Sequence, residues 1–240
     1  MAVISRKIGR FSGDRRVVAL LMLLALLVGG RTWLAAHPQH DPWAPLDLRH
    51  PEGWATEAKL LALRSDTAAC RAVLERSEIG FAALAPAGEG DCRREDRTRL
   101  TDYPLSPATP PMTCLSAVAL KRWKRDVLES AAQDIFGSKV EQIEHLGAYS
   151  CRRLYGRNDG PWSEHATANA IDIAGFVLAD GTRISVLRDW QGEGDKARFL
   201  REIRDGACGA FATVLSPDYN AAHRDHLHLD MTARWSSVCR

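Results

Sequence analysis

Histidine and carboxylate side chains crowd into a few short segments of this 240-residue chain. His223-Arg-Asp-His-Leu-His-Leu-Asp230 contains His223, His226 and His228, and Ser163-Glu-His165 supplies a further histidine. Successive side chains of a β-strand point to opposite faces, so His226, His228 and Asp230 share one face while Leu227, Leu229 and Met231 share the other. The polar face can line a cleft while the apolar face packs. The same alternation sets Asp172 with Ala170 and Ala174, opposite Ile171 and Ile173, leaving space around a carboxylate on an apolar strand. Such a carboxylate needs a partner, and a zinc ion carrying imidazole ligands supplies one. Two histidines, one carboxylate and an open position for water make a catalytic zinc set, whereas structural zinc sites fill all four positions, usually with Cys. Taken singly, His165 reads as a surface-loop histidine, Asp172 as a strand-edge carboxylate and the triple-His segment as an exposed chelator. The face pattern shared by both segments is what argues for a site. Glu164 and Asp225 read as solvated groups or as acceptors that orient the imidazoles, since metal-bound histidines give their other N–H to a carboxylate or carbonyl.

The elements that must position these residues follow from periodicity. Leu115, Val118, Ala119, Trp123, Val127, Ala131 and Ile135 form an i, i+3, i+4 stripe ended by Gly137, which predicts a helix over 115–136. Strand-like alternation follows over 140–146, 170–178 and 183–186, the last two joined by the hairpin signal Ala179-Asp-Gly-Thr182. A helix over 196–206, a strand near Val214 and a final strand over 226–231 complete an α+β core with an antiparallel sheet. Upstream, Leu60, Leu61, Leu63, Val73 and Leu74 recur at helical spacing and predict a small helical, disulfide-stapled subdomain over 54–102, with the catalytic domain over 103–240. Pro104, Pro107, Pro110 and Pro111 exclude a helix over 103–113 and mark a linker or strap.

Lys plus Arg total 32 against 30 Asp plus Glu, so the formal charge is +2 and no strong field recommends nucleic acid as a partner. Arg6, Lys7, Arg10, Arg15 and Arg16 precede the uninterrupted apolar run Val17–Val28, an export signature. Residues 1–36 are either a cleaved signal peptide or, extended through Trp33 to Ala36 with Arg31 snorkelling, an anchor in the inner membrane over 17–36. Residues 37–53, with Pro38, Pro42, Pro45 and Pro51, read as a tether to a periplasmic or envelope-facing body. In that oxidising compartment Cys70, Cys92, Cys114, Cys151, Cys208 and Cys239 read as disulfides, and without a Cys-x-x-Cys pair a thiolate metal site is disfavoured. Nearest-neighbour pairing expects Cys70–Cys92, Cys114–Cys151 and Cys208–Cys239.

Three blocks, Gly147-Ala-Tyr-Ser-Cys-Arg152, Ser163-Glu-His-Ala-Thr-Ala-Asn-Ala-Ile-Asp172 and His223–Asp230, together make the span from about Cys70 to Arg240 resemble the bacterial extensin-like C-terminal domain family. That family is similar in turn to zinc peptidases that include lysostaphin, D-alanyl-D-alanine carboxypeptidases and penicillin-insensitive murein endopeptidases, built on a small antiparallel sheet flanked by helices. Their pattern is His-x6-Asp followed by His-x-His. The resemblance implies a Zn2+ held by His165, Asp172 and His228, with His226 as the unliganded catalytic histidine and His223 matching a further histidine of the endopeptidases. It also implies that Arg152, or alternatively Arg153, stabilises the reacting carbonyl or binds substrate. Asp225 stands where the carboxypeptidases carry a Glu, three residues before the last ligand, so either Asp225 or His226 is the general base. The implied activity is zinc-assisted hydrolysis of peptidoglycan stem peptides or cross-links. Two rival readings are a wall-binding module with structural zinc and a cysteine-stapled envelope scaffold without metal; oligomeric state is left open.

Overall fold

The computed structural model describes residues 12–233 and 237–240; the basic residues Arg6, Lys7 and Arg10 lie outside them. Packing divides the chain at residues 61/62, whereas the sequence reading placed boundaries at 36/37, 53/54 and 102/103.

The first unit opens with helix α1, Ser12–Ala36, whose stretch Gly13–Ala36 is long and apolar enough to cross a membrane. Residues 37–53 do not run as a free tether. They fold through turns that bury Leu46 and Leu48, and the Nζ of Lys59 donates to the Pro38 carbonyl at 2.8 Å from helix α2, Thr56–Ala62. Burial pulls the Lys59 amine below its ordinary pKa.

The second unit opens with helix α3, Thr67–Arg76, N-capped by the Asp66 carboxylate, which accepts from Ala69 N. A short hairpin follows, β1 Phe81–Ala83 paired antiparallel with β2 Thr98–Leu100. The proline-rich segment predicted as a strap contributes strand β3, Leu105–Ser106, at the sheet edge. The long helical stripe becomes α4 Cys114–Trp123, a π-helical segment Lys124–Leu128 and α5 Glu129–Phe136, closed by Gly137 in the left-handed region at φ 63°. Trp123 is fully buried, its Nε1–H donating to the Ile203 carbonyl of α7, Asp195–Ala207. Gly206 of that helix lets the π-helical segment approach closely: a Cβ there would meet Val127 Cγ1 at 2.4 Å.

The sheet runs β3–β4–β5–β8–β7–β9, with β6 also pairing β5. β4 is Val140–Gly147, β5 Ala170–Leu178, β6 Arg183–Ser185, β7 Thr213–Leu215, β8 Leu227–Asp230 and β9 Val238–Cys239, with short helix α6 at Val186–Asp189. One edge of β5 is covered by β4. The other is divided between β8, which pairs Ala170–Ile173, and β6, which pairs Gly175–Val177. The fold is α+β as expected, but the sheet is mixed: β3 runs parallel to β4 and β9 parallel to β7. The core joins Ile171, Ile173, Leu227 and Leu229 from the strands' apolar faces to Trp123, Phe176 and Phe199.

The disulfides correct two of the three expected pairings. Cys208–Cys239 forms, but the others are Cys70–Cys114 and Cys92–Cys151, with Cα separations of 6.1 and 5.5 Å. Tertiary packing decides this: α3, carrying Cys70, lies against α4, which begins at Cys114, and the turn containing Cys92 lies against the turn at Glu164–Thr167. Both bonds cross the expected boundary at 102/103.

Candidate metal centre

The centre sits where β5 and β8 meet. Asp172 and His228 are direct register partners across that ladder, and His165 arrives from the 3₁₀ turn Glu164–Thr167 just before β5. That turn is held at both ends. Ser163 Oγ accepts from His165 N, and Asn169, beside β5, donates from Nδ2 to Glu164 Oε2 at 2.6 Å while its Oδ1 accepts from Thr113 Oγ1 at 2.9 Å. Ala168 turns the chain into the strand at φ 58°, a left-handed conformation uncommon for a residue with a side chain.

His165 and His228 are buried, and a ligand atom from each of His165, Asp172 and His228 lies within 4.8 Å of the others. The His165 Nδ1–H donates to the Ala148 carbonyl at 3.1 Å, leaving the Nε2 lone pair 3.2 Å from Asp172 Oδ1. The His228 Nε2–H donates to Asp230 Oδ2 at 3.0 Å, leaving Nδ1 at 2.9 Å from the same Asp172 oxygen and 3.1 Å from His165 Nε2. Two imidazole nitrogens and one carboxylate oxygen therefore converge, each imidazole oriented by an acceptor on its far nitrogen. That is the donor set and outer support zinc uses. Asp230 is itself fixed, accepting from Thr232 N at 2.9 Å and Thr232 Oγ1 at 2.6 Å.

Electrostatics follow from the same contacts. Burial disfavours the Asp172 carboxylate, but in the metal-free chain the imidazoles of His165 and His228 set against it outweigh burial and hold its pKa well below the usual range. Burial likewise disfavours the His228 imidazolium, yet Asp172 and Asp230 together raise its pKa to about 9. His223 is pushed down to about 4, first by burial and then by its neighbours His226 and His228.

The four residues expected to do chemistry beside the ligands are placed as follows. His226 donates Nδ1–H to Asp225 Oδ1 at 2.9 Å and turns Nε2 to within 3.5 Å of Asp172 Oδ1. His223 donates Nδ1–H to Asn220 Oδ1 at 2.8 Å, its ring centroid 5.2 Å from that of His226. His223, His226 and Arg152 all line a cleft of about 450 Å³ that also holds His165, Asp172 and His228. Asp225 does not line the cleft and meets it through its contact with His226. Arg153 is engaged elsewhere, donating to the Gly160 carbonyl and stacking 4.3 Å over the Trp162 ring. Glu164, read as a solvated group or as an acceptor that orients an imidazole, accepts from Asn169 and so orients the turn that carries His165.

Sequence reasoning did not assign roles to Asp230, to the Ala148 carbonyl or to Thr213. Asp230 shares the polar face of β8 with His228, and that i, i+2 spacing was the available signal. The Ala148 carbonyl leaves no side-chain trace. Thr213, buried in the cleft wall, has a hydroxyl without a hydrogen-bond partner among the described residues.

Comparison with curated proteins and with solved structures returns no match. The extensin-like protein C-terminus family matches over residues 68–240, which include every residue of the site. The chain belongs to that family.

Proposed function

We propose that this protein is an exported zinc-dependent peptidase that hydrolyses peptidoglycan stem peptides or cross-links. The observation that carries the reading is the convergence of His165 Nε2, Asp172 Oδ1 and His228 Nδ1 beside an oriented, unliganded histidine in one cleft. Zinc held by those three atoms would supply a Lewis acid that polarises a peptide carbonyl and acidifies water. The remaining work falls to the chain. His226, its Nδ1–H fixed on Asp225, offers Nε2 to take a proton from the attacking water and return it to the leaving amine. Asp225 selects that tautomer and stabilises the imidazolium, so it serves His226 rather than competing with it as base. Arg152 on the cleft wall offers a permanently charged fork to the reacting carbonyl or to a substrate carboxylate. His223, kept neutral, can accept a hydrogen bond from a substrate amide at Nε2.

The substrate class rests on the export-type N-terminal helix, three disulfides suited to an oxidising compartment, and the resemblance of the His-x6-Asp and His-x-His blocks to murein peptidases. The test is mass spectrometry of purified peptidoglycan and defined muropeptides after incubation with the zinc-loaded chain, with and without a chelator. A product that vanishes on chelation and returns with zinc supports the peptidase and identifies the bond. Bound zinc with no product from any stem or cross-link would transfer the assignment to a wall-binding module.

A further inference from the structure

Three tryptophans of the first unit are exposed, Trp33 at 42%, Trp43 at 78% and Trp54 at 70%, whereas Trp123 and Trp190 are buried in the second. Trp33 belongs to the last turns of α1. Its ring stacks on His37 at 4.5 Å and His40 at 5.3 Å, and lies 5.7 Å from Trp54. His40 is tied in turn to Trp54, its Nδ1 accepting from Trp54 N at 3.3 Å and its carbonyl from the indole N–H. Beyond Trp54, Ala58 and Leu61 of α2 are also exposed.

Helix length fixes the depth of this cluster. From Val17 to Ala36 the rise is about 30 Å at 1.5 Å per residue, roughly the hydrocarbon thickness of a bilayer. A helix crossing with Val17 at one boundary therefore brings Trp33 to the other, within about 5 Å of the headgroups. The basic side chains Arg15 and Arg16 at the start of α1 favour the cytoplasmic side for that end. Trp54, in ring contact with Trp33, must then lie at the same level, in the layer where indoles with one apolar and one wet side are stabilised.

We propose that α1 is a retained anchor and that residues 37–61 form an aromatic collar seated in the outer headgroup layer of the same membrane, with Trp43, Trp54 and Leu61 facing lipid. The collar is built around Trp33, so removal of α1 would remove its central ring.

The full-length chain is reconstituted into phosphatidylcholine vesicles carrying bromines either near the headgroup or near the chain ends, and tryptophan quenching is compared between wild type and W43F/W54F. Headgroup-level bromines are expected to quench the wild type more than deep ones, and the quenchable signal should fall about threefold in the variant, as three interfacial indoles become one. Equal quenching in both proteins, or stronger quenching by deep bromines, would overturn the collar. The mass of the mature chain recovered from membranes gives an independent check: a chain retaining Trp33 agrees, and one beginning after it refutes the retained anchor.

Discussion

His228 gives its Nε2–H to Asp230 and presents Nδ1, while His226 gives its Nδ1–H to Asp225 and presents Nε2. His226, just before β8, and His228 within it thus present opposite ring nitrogens to the cleft, and substitution should separate their proposed duties. H228A is expected to lose both zinc and hydrolysis, whereas H226A keeps zinc and loses about 10²–10⁴-fold in turnover. Metal content by mass spectrometry alongside muropeptide turnover checks both, and zinc loss from H226A would overturn the division. D230N leaves the three candidate ligands intact but replaces the carboxylate behind His228, so zinc affinity should fall about 10–100-fold. Proton linkage gives a further test. With its pKa raised to about 9, His228 in the metal-free chain contributes stability fully below about 6.5, which is lost as pH rises through 9. Zinc must displace that proton, so zinc affinity should increase about tenfold per pH unit up to about pH 9. Competition with a chelating dye across that range measures the slope; a flat profile would show His228 neutral before metal arrives.

β4 ends where the centre begins, and Gly147 closes it at φ 125° opposite Asp172, after a register irregularity between His145 and Gly147. Only glycine adopts that backbone freely, so G147V should cost about 1–3 kcal/mol in urea unfolding. It should also weaken zinc binding, because the next residue, Ala148, supplies the carbonyl that orients His165. Gly147 was visible in the sequence only as part of a family block. The strands that carry the candidate ligands were legible because alternation is local: Ile171 and Ile173 point into the core while Asp172 does not, and Leu227 and Leu229 do the same around His228. The helix ending at Gly137 was legible for the same reason. Long-range pairings were not. β3 pairs over two residues within a proline-rich run, and β9 over two residues at the chain end, so neither is long enough to show a period. The disulfide partners depend on α3 meeting α4, which no spacing between cysteines encodes.

Cys70–Cys114 and Cys92–Cys151 close sequence separations of 44 and 59 residues and join the segment before residue 103 to the helices and strands after it. In the chain-entropy account each restricts the unfolded chain by about 4 kcal/mol, a large part of the stability of a domain this size. Their functional weight should differ, because they end in different places. Cys114 begins α4 and does not line the cleft, whereas Cys151 immediately precedes Arg152, which does. C70S/C114S is therefore expected to lower unfolding stability by about 2–4 kcal/mol and leave KM for muropeptide near the wild-type value. C92S/C151S should lose a similar amount while also raising KM, since the Arg152 segment loses its tie to the Cys92 turn and substrate binding must then order it. Paired urea melts and steady-state kinetics separate the two effects. An unchanged KM in C92S/C151S would show that the Arg152 segment is held in place by its backbone bond from Ser163 N to the Arg152 carbonyl, at 3.1 Å, without help from the disulfide.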